Sequence, residues 1–362
     1  MKRLELVQIG LGHVGRKVAQ IVLEERKRWR EHDGLDLSYR AVSDTSGALV
    51  GEELLPQAIR KKEAGAKLSE LGVVEPLEEV LLSEPAPGTT RVVIDVAVHG
   101  GTYDLDLLGV RNGSYLVLSN KGPLSGNTKQ YELLVEMLRD RLWHEATVGA
   151  GMPIISTLDG LIASGDEILE IQASPSGTLG FVMSAVEGGR RFSEAVKEAV
   201  ALAYAEPDPR DDLSGLDVAR KAIILARKMG RKIEPEEIPY RSLVPEGLED
   251  VSLEEFLERL PEHDEVFAER LLAVEEHHML RYLARIPKEG PVTVGLVDEP
   301  VESPFGPISG PENVFDFRTR RYSDVTLTIR GPGAGPERTA SGVVLDLLDI
   351  AHKAIKDDGR DD

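Results

Sequence analysis

Short apolar runs separated by longer amphipathic stretches dominate the first part of the chain. Four of the runs have the length of buried strands: residues 4–9, 37–42, 91–98 and 114–118. Two other stretches carry apolar side chains at helical spacing: residues 13–30 and 127–141. Alternating strands and helices predict a parallel sheet with helices on both faces, and therefore an α/β domain.

This alternation is lost after about residue 143. Further strands are predicted at residues 168–173, 292–297 and 324–329. Further helices are predicted at residues 214–229, 253–260, 264–283 and 339–356. The acidic, proline-bearing stretch 232–262 favours a surface insertion. We predict one α/β domain of residues 1–143, completed by 336–362, and a second, α+β domain of residues 144–335.

Charge and cysteine content narrow the classes of function. The 362 residues include 63 acidic and 43 basic ones, which gives a formal net charge of −20. This charge argues against nucleic-acid or anionic-membrane partners and favours a small-molecule substrate. The absence of cysteine excludes disulfides, thiolate catalysis and thiolate metal sites. Because Glu5 and Gln8 interrupt the N-terminal run and no run reaches membrane-spanning length, we expect a cytoplasmic protein.

A glycine-rich turn follows the first predicted strand. Gly10, Gly12 and Gly15 enclose Leu11, His13 and Val14 in a G-x-G-x-x-G pattern, with a predicted helix immediately after it. In that context the glycines allow a tight turn, close approach to a pyrophosphate and close helix packing. The helix N-terminus favours the phosphate charge. The pattern predicts a Rossmann-type domain that binds NAD(P) through residues 10–15, although a βα turn without a ligand is the alternative.

The ribose of a dinucleotide is expected at the end of the second strand. Asp44 lies there, and an acidic residue at this place bonds the 2′-hydroxyl and favours NAD. Arg40 and the basic cluster at residues 60–62 are placed to attract a 2′-phosphate instead. Asp44 is therefore a candidate cofactor-binding residue with a slight preference for NAD, and the alternative is a simple turn residue.

The most unusual stretch is AEPDPRDDLSGLDVARK, residues 205–221. Its two prolines keep the acidic residues out of a helix, and Ser214 with Asp217 has the spacing of a capping box. Asp217 and Lys221 are four residues apart on one helical face. The pair is either a helix cap beside a solvated loop, or a lysine held and tuned by a carboxylate in a site.

The same stretch is very close to the signature of homoserine dehydrogenases. Other segments resemble that family in the same order: SNK at 119–121, EATVGAGMPII at 145–155, PSGTLGF at 175–181 and RRYSDVTLTIRGPGAG at 320–335. The resemblance implies reversible, NAD(P)-dependent conversion of L-homoserine to L-aspartate 4-semialdehyde. It also implies a homodimer, with the second domain binding substrate and forming the dimer. Neither an aspartokinase domain nor an ACT domain is expected within this sequence.

Matching the family's motifs gives roles to the charged residues. Lys221 would be the general acid/base, and Lys121 would lie between cofactor and substrate and assist it electrostatically. Glu206 and Asp217 would hold the substrate ammonium or the lysine, with Asp212 in support. An aldehyde reduction needs a proton for the developing alkoxide, and a lysine ammonium can both deliver the proton and stabilise the charge.

The resemblance also implies less specific contacts. Gly177, Thr178 and Tyr204 would line the substrate pocket, the alternatives being a turn and core packing. Gly335 would return to the nicotinamide side, the alternative being a turn that needs positive φ. A monovalent cation, Na+ or K+, would be bound by backbone carbonyls at Glu145, Val148, Ala150 and Met152.

One loop departs from the family. The stretch VAVHGG, residues 96–101, lacks the hydroxyl that the family often has near the cofactor, and His99 stands in the loop instead. Two other functions therefore stay open. One is a dehydrogenase of another hydroxy amino acid on the same fold, and the other is a dinucleotide-binding sensor without turnover.

Overall fold

A computed structural model of the protein describes residues 1–98 and 101–357. The chain divides into two compact units, Met1–Gly151 with Gly335–Asp362, and Met152–Ala334. His99, on which one sequence interpretation rests, lies outside the described residues. No helix in the described ranges is both long enough and apolar enough to cross a bilayer.

A parallel sheet forms the centre of the first unit. Its strands are β1 (Lys2–Ile9), β2 (Leu35–Asp44), β3 (Gly47–Val50), β4 (Thr89–Asp95), β5 (Tyr115–Leu118) and β6 (Leu142–Trp143). Their order is β3-β2-β1-β4-β5-β6, and only β3 runs antiparallel to its neighbour. The predicted α/β class and the four predicted strands are confirmed. The short β3 and β6 were not predicted, since neither carries a recognisable run.

Helices connect these strands. They are α1 (His13–Arg28), α2 (Leu55–Glu63), α3 (Leu77–Leu82), α4 (Tyr103–Arg111), α5 (Gly122–Ser125) and α6 (Thr128–Leu138). A π-helical turn, Trp29–Asp33, follows α1 and ends at Gly34 in the left-handed conformation. The buried Trp29 anchors this turn in the core.

An antiparallel sheet forms the centre of the second unit. Its strands are β7 (Ile168–Ser174), β8 (His278–Pro287), β9 (Thr293–Pro300), β10 (Asn313–Thr319) and β11 (Leu327–Gly331). Their order is β11-β10-β7-β8-β9, with every neighbouring pair antiparallel. The unit's helices are α7 (Ile154–Ala163), α8 (Gly177–Glu187), α9 (Phe192–Ala201), α10 (Arg210–Leu213), α11 (Leu216–Lys228), α12 (Leu253–Arg259) and α13 (Asp264–Leu272).

Two predictions for this unit are wrong. The helix predicted at 264–283 ends at Leu272, and the chain turns at His277, which has φ of 63°, before β8 begins. The stretch 232–262 is not a surface insertion, because Leu248, Phe256 and Leu260 are all 0% exposed. It is packed into the second unit.

The last helix, α14 (Pro336–Asp357), returns the chain to the first unit. Val343 and Leu347 on its apolar face are fully buried and share a core cluster with Val18 and Val22 of α1. The helix is also tied to the chain near residue 145, since Asp346 accepts the Glu145 N–H at 3.0 Å. The first unit therefore needs both ends of the described chain to complete its core.

Candidate active site

The glycine-rich turn has the geometry of a phosphate-binding loop. Gly10 adopts φ of 97°, and a Cβ there would lie 3.2 Å from the backbone of Val96 and Ala97. A Cβ on Gly15 would lie 2.2 Å from the Gly10 carbonyl oxygen, so α1 packs directly on the turn. Gly12 caps α1 in an extended conformation and has open space beside it.

One polar side chain holds this turn together. Gln8 Nε2 donates to the carbonyls of Gly10 and Gly15 at 2.8 and 3.0 Å, and its Oε1 accepts from the Tyr39 hydroxyl at 2.9 Å. Sequence reasoning counted Gln8 only as an interruption of an apolar run.

The N-terminus of α1, beside the glycine-rich turn, suits a dinucleotide phosphate. His13 is exposed, Val14 is partly buried, and the first turn of α1 carries no acidic side chain. Free backbone space at Gly12 together with a helix N-terminus therefore fits a pyrophosphate group.

Asp44 lies at the end of β2, as the ribose interpretation requires, but its oxygens are already engaged. Oδ1 accepts from the Ser46 N–H and hydroxyl at 2.8 and 2.6 Å. Oδ2 accepts from Lys62 Nζ at 2.7 Å and from the Leu68 N–H at 3.1 Å. Burial raises the pKa of Asp44, but these bonds outweigh it and hold the pKa below its ordinary value. A carboxylate has about four lone-pair sites, so a ribose would compete with these donors.

Lys121 follows β5 and is the N-cap of α5. The preceding Asn120 donates from Nδ2 to Asp95 and to the Thr102 hydroxyl, each at 2.9 Å, and its Oδ1 accepts the Gly122 N–H. The Thr102 hydroxyl in turn donates to Asp95 at 2.7 Å. Thr102, just after the VAVHGG loop, thus supplies a hydroxyl to this network. This buried network fixes the backbone that carries Lys121.

Lys221 is a nearly buried, ion-paired lysine of the second unit. It lies on α11, is 7% exposed, and its Nζ is 2.8 Å from an Asp217 oxygen. Nζ also donates to the Pro175 carbonyl at 2.6 Å. Since Asp217 remains 45% exposed, the pair is buried on the lysine side and open on the carboxylate side. The Asp217 carboxylate is therefore the solvent-facing side of the pair.

A hydrogen-bonded network joins the other substrate candidates. Asp212 Oδ2 accepts the Glu206 N–H at 2.8 Å, and its Oδ1 accepts from the Thr178 hydroxyl at 3.1 Å. That hydroxyl lies 2.6 Å from the Tyr204 carbonyl, so Tyr204 joins through its backbone while its side chain is 41% exposed. Gly177 begins α8, where a Cβ would lie 2.9 Å from the Pro311 carbonyl oxygen.

These carboxylates influence one another. Burial above all raises the pKa of Asp212 to about 6, and the negative charges of Glu206 and Asp217 add to the rise, while the hydrogen bonds from Glu206 and Thr178 oppose it. The region therefore has a negative potential suited to an ammonium group.

The helix start near Asp217 differs from the predicted capping box. Gly215, with φ of 75°, is the N-cap of α11, and Ser214 instead ends α10. The Ser214 hydroxyl accepts the Leu216 N–H at 3.2 Å. Asp217 therefore does not close a capping box, and its carboxylate is available to Lys221.

The candidate cation segment has an unusual backbone. Glu145 and Val148 are buried, and Gly149 and Ala150 both have positive φ, at 81° and 57°. Met152 is the first residue of the second unit. Backbone carbonyls are hard oxygen donors, which suit Na+ or K+. Across the described residues, no group of three or more histidine or acidic side chains could hold a metal ion.

Gly335 precedes α14 and has φ of 113°, a conformation that favours glycine. A Cβ on Gly335 would meet one group within 4 Å, the Arg338 guanidinium at 3.5 Å. Both the cofactor role and the simple turn remain compatible with this geometry.

Comparison with known proteins identifies the family. A sequence model described as homoserine dehydrogenase matches residues 153–348. The homoserine dehydrogenase of Paracoccidioides brasiliensis is 35% identical over 305 residues, covering 80% of this chain and 82% of that protein. The chain belongs to the homoserine dehydrogenase family. Members of this family are NAD(P)-dependent oxidoreductases.

Two further relatives extend the comparison. Bifunctional aspartokinase/homoserine dehydrogenase 2 of Arabidopsis thaliana is 45% identical over 265 residues, covering 71% of this chain but 28% of that protein. The chain thus spans less than half the length of its bifunctional relatives. The structure of a putative homoserine dehydrogenase from Archaeoglobus fulgidus is similar at a TM-score of 0.76 and 27% identity, covering 97% of this chain and 99% of that one.

Proposed function

We propose that this chain catalyses the reversible, NAD(P)-dependent interconversion of L-homoserine and L-aspartate 4-semialdehyde. The observation that carries the proposal is Lys221, a nearly buried lysine held by Asp217 and by the Pro175 carbonyl beside a set of interacting carboxylates. Family membership supplies the substrate, because an acidic region next to a lysine would by itself suit several hydroxy amino acids.

Recognition of the substrate ammonium group falls to the carboxylates. Glu206 is exposed and has its N–H bonded to Asp212, whose position is fixed by the Thr178 hydroxyl. An ammonium group beside these residues gains charge-assisted hydrogen bonds, which are stronger than neutral ones.

Proton transfer falls to Lys221. In the reductive direction its Nζ donates a proton to the alkoxide oxygen that forms as the aldehyde carbon accepts hydride. Asp217 and the Pro175 carbonyl orient Nζ, since two of its three donors are directed to them. In the oxidative direction the same nitrogen accepts the hydroxyl proton. For Lys121, whose backbone is held by the Asn120 network in the first unit, the proposed role is electrostatic stabilisation of negative charge.

The dinucleotide belongs to the first unit in this proposal. Gly10, Gly12 and Gly15 hold the pyrophosphate at the start of α1, and Asp44 with Lys62 faces the adenine ribose. When bound, the cofactor accepts or supplies a hydride at C4 of its nicotinamide ring. His13, Val14 and Gly335 are further candidate contacts.

Other parts of the proposal rest on family membership rather than on contacts. We assign dinucleotide binding to the first domain, and substrate binding and dimerisation to the second. A homodimer, a cytoplasmic location and a Na+ or K+ ion at residues 145–152 remain predictions of the same kind.

The test is turnover of L-homoserine, followed by absorbance of the reduced nicotinamide, with NAD+ and NADP+ in parallel. Lys221→Ala should lose at least about a hundredfold in kcat, as expected for removal of a positioned acid/base. Lys228→Ala is the matched control, because Lys228 lies on the same helix and pairs with Asp159 at the surface. It should retain wild-type kcat.

Glu206→Gln should raise the KM of homoserine and leave the KM of the cofactor unchanged, since it removes one charge partner of the ammonium group. If Lys221→Ala turned over as fast as wild type, the assignment of the acid/base would be wrong. If wild type failed to oxidise homoserine while binding the dinucleotide, the proposed substrate would be wrong.

A further inference from the structure

Arg210 connects the acidic stretch 205–212 to a segment of the second unit that is distant in sequence. It begins α10, and its Nε and Nη2 donate to both carboxylate oxygens of Asp208 at 2.6–3.2 Å. Its Nη1 faces the other way and donates to main-chain carbonyls at 3.4, 3.0 and 2.7 Å, those of Leu248, Glu249 and Val251. One guanidinium thus joins two stretches that are about forty residues apart.

The segment that receives these bonds is itself firmly anchored. We call residues 240–256 the clasp segment. Its Leu243 N–H donates to the Leu213 carbonyl at 2.8 Å, and its Arg241 carbonyl accepts from the Tyr282 hydroxyl at 2.8 Å. Phe256 is fully buried, and the Arg210 guanidinium carbon lies 5.3 Å from its ring centroid. The clasp segment is therefore a fixed support against which Arg210 is held.

The position of Arg210 determines that of its neighbours on the loop. Asp212 lies two residues further on in the same short helix, and it accepts the Glu206 N–H. The bond from Arg210 holds the pKa of Asp208 below its ordinary value, so Asp208 stays charged and bound. A planar guanidinium directs its donors in fixed directions, which a lysine ammonium cannot reproduce.

We propose that Arg210 is a positioning residue for ammonium recognition: by joining Asp208 to the clasp segment, it fixes the direction in which Glu206 and Asp212 face the substrate. This inference rests on the proposed function, since it requires an amino-acid substrate. Its specific consequence is that loss of Arg210 weakens binding of molecules that carry the ammonium group. Binding of the same molecule without that group is unaffected.

The experiment compares L-homoserine with 4-hydroxybutanoate, which is homoserine without its ammonium group. For Arg210→Lys and Arg210→Ala, the KM of homoserine should rise by at least about tenfold, because small displacements of positioning groups are costly. The inhibition constant of 4-hydroxybutanoate and the KM of the cofactor should stay within about twofold of wild type. Arg259→Ala, which removes a surface arginine of α12 paired with Glu255, is the control and should change none of these values.

The results for the Arg210 variants distinguish a positioning role from the alternatives. An unchanged homoserine KM in a folded Arg210 variant overturns it. An equal rise in both constants also overturns it, because general damage to the second unit affects both molecules alike. If Arg210→Ala does not fold, Arg210→Lys decides, since it keeps the charge and most of the stem. Wild-type protein that does not turn over homoserine refutes the proposed function, and the inference with it.

Discussion

The Asp44–Lys62 pair should set the preference between NAD+ and NADP+. In the structure Lys62 neutralises Asp44 and fills one of its lone pairs, and both side chains are mostly buried, at 17% and 9% exposed. Lys62→Ala exposes an unneutralised carboxylate at the predicted ribose site. We expect the variant to favour NAD+, because the freed oxygen can accept the 2′-hydroxyl and repels a 2′-phosphate.

The size of the effect follows from the contacts involved. One hydrogen bond to a charged group contributes about 1.5–3 kcal/mol. The three other donors, Ser46 twice and Leu68 once, keep Asp44 in place after the substitution. Since about 1.4 kcal/mol corresponds to tenfold, the ratio of kcat/KM for NAD+ over NADP+ should rise by about ten- to a hundredfold.

The assay measures kcat/KM for both cofactors at saturating homoserine. Lys27→Ala is the control, because Lys27 is an exposed lysine in the last turn of α1, outside the basic cluster 60–62, and should leave the ratio unchanged. Asp44→Asn should move the ratio towards NADP+, the opposite direction. A ratio that stays constant in Lys62→Ala, or moves towards NADP+, would show that this pair does not face the 2′ position.

Two further predictions concern the second unit. The pKa of Asp212 is raised to about 6, so its carboxylate is charged above that pH. The KM of homoserine should therefore rise as the pH falls below about 6 and stay level above it. A profile of KM against pH tests this, and Asp212→Asn should remove the pH dependence. Gly215→Ala places a Cβ 1.9 Å from the Tyr282 hydroxyl, whereas Gly230→Ala, also at positive φ, meets nothing within 4 Å. By urea unfolding, the first should cost about 1–3 kcal/mol more than the second, as overpacking does; equal costs would contradict the crowding argument.

The sequence predicts this fold best where apolar side chains follow one regular pattern along a whole strand or helix. The strands β4 and β5 follow continuous apolar runs, which is typical of parallel strands buried on both faces. In β1 the apolar run is interrupted by Glu5 and Gln8, and β2 alternates apolar and polar side chains over its first six residues. A continuous run misled the prediction at β8, where residues 280–284 are buried in succession and show no alternation. No proline or glycine separates that strand from α13. The turn is made at His277, and positive φ is uncommon for residues other than glycine.

The contacts of the candidate site also fall into two groups, those that local sequence spacing predicts and those that it does not. Asp217 and Lys221 are four residues apart, so helical geometry alone brings them together. The Pro175 carbonyl on Lys221 and the carbonyls on Arg210 come from residues tens of positions away. Such side chain–backbone contacts depend on tertiary packing, and no local pattern encodes them. The Thr102–Asp95 hydrogen bond was not predicted either, because it joins two residues on opposite sides of the VAVHGG loop.

The return of α14 to the first unit has a consequence for folding during synthesis. The first 151 residues leave the ribosome before the helix that fills their core has been translated, and the whole second unit is made in between. Domains generally fold as units as they emerge. The second unit can therefore fold while the apolar face of α1 is still uncovered and prone to unwanted association. The glycine-rich turn at residues 10–15 is translated before the second unit, yet the core that supports it is completed by α14.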